Sequence, residues 1–250
     1  MAADKSGLTR KLADEWKQGL IGDVGQATAP ERPARSAAPL LMPPSAMPRR
    51  SKDGVKGRTA LLHALAHIEL NAIDLAWDII ARFTTWNLPR PFYDDWVQVA
   101  LDEADHFDAL EDLLGKLGAS YGDLPAHDGL WQAAVKTSHD LMDRLALVPM
   151  TLEARGLDTT PASMRNLERH GHGDAVPVLQ KILEDEIAHV AAGTRWFAYL
   201  CGLQGLDPAA TYRSRLAPYF PQGPKPPFNH AARLKAGQTP DFYDWTARFT

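Results

Sequence analysis

The sequence predicts an all-α protein built on an antiparallel four-helix bundle. Four long segments have apolar residues at three- and four-residue spacing, which is the period of a helix that is buried on one face. Short connections that contain Gly or Pro separate most of these segments, and short connections place successive helices antiparallel. No segment shows with equal clarity the polar–apolar alternation of a strand.

The region 1–57 precedes the bundle and differs from it in composition. Residues 7–20 have the pattern of a short amphipathic helix. Residues 27–50 are rich in Pro and Ala and have no helical period, which predicts an extended segment. Because this segment contains the apolar stretch PLLMPP, we expect an arm that packs on the body of the protein rather than a free linker.

The bundle is predicted over residues 58–204. Its first two helices cover 58–83 and 92–117, and the Pro-containing stretch NLPRP separates them. The third helix covers about 128–156 and should be kinked at Pro149, which has no backbone N–H to donate.

The remaining part of the chain contains one more long helix. Thr160-Pro161 predicts the start of a short helix. The fourth long helix then extends from Asp174 to about Leu203. The region 205–250 is rich in Pro and aromatic residues, and we expect it to be an irregular C-terminal tail packed on the bundle.

Two copies of one motif, DEADH at 102–106 and DEIAH at 185–189, lie on the second and fourth predicted helices. In each copy the Glu and the His are three residues apart and therefore share one helix face, as Glu103 with His106 and Glu186 with His189. The surrounding positions are apolar, so both pairs should point inward. A buried carboxylate is costly unless it is paired or bound to a metal.

The other two long helices each offer one inward carboxylate. Glu69 lies on the apolar stripe of the first helix, and Glu153 is aligned with apolar positions of the third. The distance in sequence from Glu69 to Glu103 almost equals that from Glu153 to Glu186. The chain therefore contains two helix pairs, each supplying a Glu and then a Glu-x-x-His.

Four glutamates and two histidines predict a centre for two metal ions. This mixture of carboxylate and imidazole ligands favours a pair of iron ions, or manganese or a mixed pair, over a structural zinc. Asp102 and Asp185 stand directly before the two Glu-x-x-His units. Because metal-bound histidines commonly donate their second ring N–H to a carboxylate, we assign this role to both aspartates. We interpret Asp105 as a surface charge, and the pattern assigns no catalytic side chain beyond the ligands.

The other histidines of the helical region are interpreted as structural or exposed, since one histidine on a helix is weak evidence for a metal. They are His63, His67, His139, His170 and His172.

These residues resemble the ferritin-like superfamily of di-iron carboxylate proteins, whose ligands come in the order Glu, Asp-Glu-x-x-His, Glu, Asp-Glu-x-x-His. Over nearly its whole length the chain is also similar to a bacterial family catalogued as a domain of unknown function within that superfamily. The segments RPARSAAPLLMPPSAMPRR, HALAHIELNAIDLAWD and PPFNHAARLKAGQTPDFY carry this second similarity. At the level of the motif alone the chain is similar to bacterial tRNA-modifying hydroxylases. The resemblance implies a ferritin-like bundle with the six residues above as ligands.

This resemblance and the ligand set favour an oxidoreductase that uses dioxygen at a di-iron centre to hydroxylate or oxidise an organic substrate. The substrate would be a small molecule or a modified nucleoside. An external electron donor is required, because the chain has neither a cysteine cluster nor a Gly-rich dinucleotide loop. Two alternatives stay open, namely a ferroxidase or peroxide-handling protein and a non-catalytic metal-binding scaffold.

Composition gives no support to several other classes. The net charge of −4 provides no basic field for nucleic acid, and the local basic run at 49–58 is interpreted as a solvated linker. The single cysteine, Cys201, cannot form a disulfide within the chain. The sequence shows no signal peptide and no apolar span, so we expect a cytoplasmic protein without membrane contact. Whether it forms a homodimer stays open.

Overall fold

The computed structural model describes residues 2–26, 28–48 and 54–245. Within these ranges the regular structure is helical and no β-strand is formed, which confirms the all-α prediction. None of the helices in the described residues combines the length and the apolar character that crossing a membrane requires.

The chain divides into two compact units. The first contains Met1–Val135 and His170–Val178, and the second contains Lys136–Arg169 and Leu179–Thr250. Helix α7 (Val176–Gln204) begins in the first unit and supplies most of its residues to the second. Each unit contains one of the two Glu-x-x-His motifs.

Three long helices form the body of the first unit. They are α1 (Ala2–Lys17), α2 (Gly54–Arg82) and α3 (Arg90–Lys116). Helices α2 and α3 pack side by side, and α1 packs mainly on α3. The bounds of α2 and α3 agree with those predicted from the hydrophobic period to about one helical turn. Between them, Asn87 adopts a left-handed conformation with φ of 50° and ends the 3₁₀ turn Thr84–Trp86.

The Pro-rich arm lies against the first unit. The Met42 N–H donates to the Ala126 carbonyl at 2.8 Å, and the Ala126 N–H donates to the Leu40 carbonyl at 3.0 Å. The Trp131 indole N–H donates to the Glu31 carbonyl at 3.1 Å. These bonds satisfy backbone groups that an extended segment cannot satisfy within itself.

The basic run 49–58 is not a continuous solvated tract. Residues 49–53 lie outside the described residues. Lys56 is exposed, but Arg58 is buried and its guanidinium forms an ion pair with Asp174 at 2.5 Å. For Arg58 the interpretation as a solvated linker residue was therefore wrong.

The predicted third helix is divided into several pieces. It consists of α4 (Gly129–Lys136), α5 (Leu141–Leu147), a π-helix (Val148–Glu153) and α6 (Ala154–Arg169). The distortion predicted at Pro149 therefore takes the form of a π-helix.

Two boundaries in this region differ from the prediction. Asp140 caps α5 by accepting a hydrogen bond from the Asp143 N–H at 3.0 Å, which starts a new helix inside the predicted one. The start predicted at Thr160-Pro161 was wrong, because Pro161 lies inside α6. A proline inside a helix costs about 3 kcal/mol, and the burial of the apolar Leu157 on the preceding turn offsets part of that cost.

The sequence predicted an irregular C-terminal region, but the structure has three short helices there. They are α8 (Pro208–Leu216), α9 (His230–Lys235) and α10 (Pro240–Tyr243). Asp207 caps α8 and Asn229 caps α9 through their side chains. Helices this short depend on caps and tertiary packing, so they leave little hydrophobic period in the sequence.

Candidate metal centre

Helices α2 and α3 bring Glu69, Glu103 and His106 together in the first unit. Each of the three side chains offers one ligand atom, and these atoms lie within 4.8 Å of one another. The Nδ1 atom of His106 is 3.4 Å from Glu69 Oε2 and 3.4 Å from Glu103 Oε2. The three residues are 3%, 0% and 3% exposed, so water does little to screen their charges.

The buried carboxylates of this cluster favour a compensating positive charge or proton beside them. Burial first, and then the neighbouring charge of Glu103, raise the pKa of Glu69 well above its usual value. Burial by itself lowers the pKa of His106, but the hydrogen bonds and charges of Glu103 and Glu69 outweigh it and raise that pKa to about 11. Protons thus provide charge compensation that a bound metal cation could provide in their place.

The surroundings of the cluster are apolar. The buried residues on the same stretches of α2 and α3 include Ala66, Ala72, Ile73, Ala100, Phe107 and Leu110. Such a shell excludes water and strengthens the attraction between carboxylates and a cation.

The second unit contains a matching set of ligand types. Glu186 and His189 are both buried on α7, and His189 Nδ1 is 3.8 Å from Glu186 Oε2. Glu153 is the last residue of the π-helix and is partly buried. As in the first unit, the three-residue spacing places the Glu and the His on one face of the helix, because this geometry is a property of the helix itself.

Two residues with unusual backbone properties lie at the π-helix that carries Glu153. Pro149 cannot donate the backbone hydrogen bond that a regular α-helix requires at that position. Gly193 on α7 lies opposite it, where an added Cβ would be 2.7 Å from Pro149 Cβ. Gly193 therefore permits a close approach that any larger residue would prevent. π-Helical turns are frequent at functional sites, which is consistent with a role in placing Glu153.

Comparison with known proteins places this chain in a family. Residues 1–244 match the family model described as "Protein of unknown function (DUF455)". The chain belongs to the DUF455 family. A Haemophilus influenzae protein that carries the name "Uncharacterized protein" is 41% identical over 212 residues, which cover 83% of this chain and 74% of that protein. No solved structure matches the chain. The similarity to a family catalogued as a domain of unknown function is thereby confirmed.

The C-terminal region of this DUF455 protein holds the π-helix in place. The Gln238 side-chain amide donates to the Met150 carbonyl at 2.8 Å, and Arg233 donates to Gln238 Oε1 at 2.7 Å. The Arg233 guanidinium is also paired with Asp158 at 2.7 Å, and both side chains are essentially buried. We call Asp158, Arg233 and Gln238 the C-terminal clamp.

Sequence reasoning missed the C-terminal clamp. Arg233 and Gln238 lie within the segment PPFNHAARLKAGQTPDFY, which supported the family resemblance without suggesting a role for either residue. A buried Arg–Asp pair looks like two surface charges when only the sequence is read, since its partners are far apart in the chain.

The aspartates next to the motifs have other contacts as well. The Gln98 amide donates to Asp102 Oδ1 at 2.8 Å, and Lys181 Nζ donates to Asp185 Oδ1 at 2.6 Å. Hydrogen bonds from the ring N–H groups of His106 and His189 to these aspartates stay a prediction. Asp105 is exposed and pairs with Arg10 at 2.7 Å, in agreement with its interpretation as a surface charge.

Among the histidines interpreted as structural or exposed, His63, His67 and His139 have such positions. His63 and His67 are buried and hydrogen-bonded within the first unit. The side chain of His139 is 64% exposed and lies 3.3 Å from Asp143.

Proposed function

We propose that this DUF455 protein is an oxidoreductase that uses dioxygen at a dimetal centre to hydroxylate or otherwise oxidise an organic substrate. The fold would be a ferritin-like four-helix bundle, and the metals would be iron or a manganese–iron pair. The proposed ligands are Glu69, Glu103, His106, Glu153, Glu186 and His189.

One observation supports the proposal more strongly than any other observation does. Glu69, Glu103 and His106 form a buried cluster of two carboxylates and one imidazole on apolar helix faces. Such a cluster is expensive for a protein that uses it only for packing, because apolar residues of similar volume would fill the space at lower cost. Hard oxygen donors with an imidazole suit iron and manganese.

The second half of the proposed centre is supported by the repeated motif. Glu186 and His189 have the same spacing as Glu103 and His106 and are buried in the same way. Two half-sites of this kind supply four carboxylates, which balance the charge of two divalent ions.

The side chains of the protein would have separable tasks in this reaction. The metal pair, when bound, supplies the redox chemistry with dioxygen. The four glutamates would balance the positive charge of the metal pair, and Asp102 and Asp185 would orient the histidine rings. Hydroxylating one C–H bond with one dioxygen consumes two electrons and two protons and releases one water. Cys201 alone cannot hold an iron–sulfur cluster, so we expect a separate electron donor.

Metal analysis tests the proposal directly. Protein purified from cells supplemented with iron or manganese should contain about two ions per chain, as dimetal carboxylate bundles do. Glu103→Gln and Glu186→Gln should each lose metal. Glu184→Gln, a change at an exposed position on the same helix as Glu186, should not. Metal-free wild-type protein after anaerobic loading would overturn the proposal.

Oxygen consumption separates the proposed activity from its alternatives. Reduced, metal-loaded protein should consume dioxygen repeatedly when a chemical electron donor is supplied. Consumption in fixed ratio to added ferrous iron would indicate a ferroxidase. Bound metal without consumption of dioxygen or peroxide would indicate a scaffold.

A further inference from the structure

A cavity of about 300 Å³ lies in the first unit beside the N-terminal half of α2. Its walls come from the end of the Pro-rich arm, from α2 and from the segment 124–130. On α2 the residues that line it include Lys56, Ala60 and Ala64. At 3.6 residues per turn, these positions lie about half a turn around the helix from Glu69. The cavity is therefore on a different face of α2 from the proposed metal ligand.

Most of the cavity wall is apolar, and one apolar residue is unusually exposed. Ile68 lines the cavity and is 42% exposed, although it belongs to a helix that is otherwise well packed on this unit. A cavity of this size lies at the lower end of the range for small-molecule sites, which combine apolar walls with a few polar groups.

Two of the three histidine rings in the wall carry an N–H on the nitrogen that does not accept a backbone hydrogen bond. His63 Nε2 accepts the Gly122 N–H at 3.0 Å, so in the neutral ring the proton is on Nδ1. His127 Nδ1 accepts the Gly129 N–H at 3.2 Å, so its proton is on Nε2. A third ring, His67, already uses both nitrogens, with the Tyr121 hydroxyl and the His127 carbonyl.

The described residues that line the cavity carry charge of one sign. Lys56 is exposed and is the charged residue of the lining, and none of the described residues that line the cavity is acidic. A ligand that fits this wall carries a negative, hydrogen-bond-accepting group on an apolar body.

We propose that this cavity binds a monocarboxylate with an aliphatic chain. The carboxylate takes donors from Lys56, His63 and His127, and the chain packs on Ala64 and Ile68. The site is separate from the proposed dimetal centre, and its occupation does not require a metal.

Calorimetric titration of the full-length protein tests the site with three probes of equal chain length, below the concentrations at which they form micelles. The probes are decanoate, uncharged decanamide and cationic decyltrimethylammonium. Decanoate should bind at least tenfold more tightly than the cation. Lys56→Gln should weaken decanoate about fivefold, as the loss of an exposed ion pair implies, and should leave decanamide unchanged.

Filling the cavity gives a second, independent readout. Ala64→Phe should abolish decanoate binding, whereas Ala109→Phe, the same change at a partly buried position of α3 outside the cavity, should not. If Ala64→Phe does not fold, Ala60→Leu supplies the same test with a smaller side chain.

Three results would overturn the proposal. They are unchanged decanoate binding when the cavity is filled, equal binding of the cationic probe, and loss of decanoate binding in Glu103→Gln. The last result would place the ligand at the metal centre instead. Failure of the dimetal proposal would leave decanoate binding unaffected, so the two proposals are tested separately.

Discussion

The two Glu-x-x-His units have the same spacing but different supports. In the first unit Glu69, Glu103 and His106 lie on two long uninterrupted helices that pack side by side. In the second, Glu186 and His189 lie on a regular helix, but Glu153 ends a π-helix that the C-terminal clamp holds. The same sequence pattern of candidate ligands is therefore compatible with different backbone structures. The second unit should be the more sensitive of the two to changes far from its candidate ligands.

The largest expected effect comes from breaking the C-terminal clamp. Arg233→Met removes the buried partner of Asp158 and should lower the free energy of unfolding by about 3 kcal/mol. Chemical denaturation measures this loss. Lys235→Met changes an exposed residue of the same helix and should cost far less. Equal effects of the two changes would show that the clamp does not stabilise the second unit.

The contact between Gly193 and Pro149 provides a smaller and more local test. Gly193→Ala places a Cβ in steric conflict with Pro149, and this overpacking should cost about 1–3 kcal/mol. Gly202→Ala on the same helix meets nothing within 4 Å and should stabilise the protein by up to about 1 kcal/mol. A lower unfolding temperature for Gly193→Ala together with a higher one for Gly202→Ala would support a close approach at Gly193 alone. If Gly193→Ala also stabilises, the π-helix does not need it.

A change in the first unit should separate stability from metal binding. Glu69→Gln removes a buried carboxylate that lies beside Glu103, so the metal-free protein should unfold at the same or a higher temperature. Metal content should fall in the same variant. A clear loss of stability without metal would mean that Glu69 is needed for packing rather than for a ligand role.

The smallest expected effect is on how the stability of the first unit changes at acidic pH. Burial lowers the pKa of His63, and its neutral Nε2 accepts the Gly122 N–H. A group whose pKa is lower in the folded state binds more protons when unfolded. Its contribution to stability is therefore complete above about pH 6.5 and is lost as the pH falls below that value.

Denaturation at several pH values between 7 and 5 measures this contribution. His63→Gln should make the free energy of unfolding less dependent on pH, whereas the change His139→Gln at an exposed histidine should leave the dependence as in the wild type. An unchanged slope in His63→Gln would assign the acid sensitivity to other groups.

Local patterns were the part of this structure that could be predicted. The bounds of α2, α3 and α7 follow from hydrophobic period and breakers, and the shared face of Glu103 and His106 follows from helix geometry. Each of these features depends on residues within a few turns of one another. The approach of Glu69 to His106 followed from the position of Glu69 on the apolar stripe of its own helix.

What the sequence by itself determined is the helical class and the types and spacing of the candidate ligands. Tertiary structure alone decided the form of the π-helix, the helices of the C-terminal region and the clamp on Met150. The physical reason is that these features are stabilised by contacts such as Arg233 with Asp158 and Gly193 with Pro149. Those partners are distant in the chain, and no local pattern records that they meet.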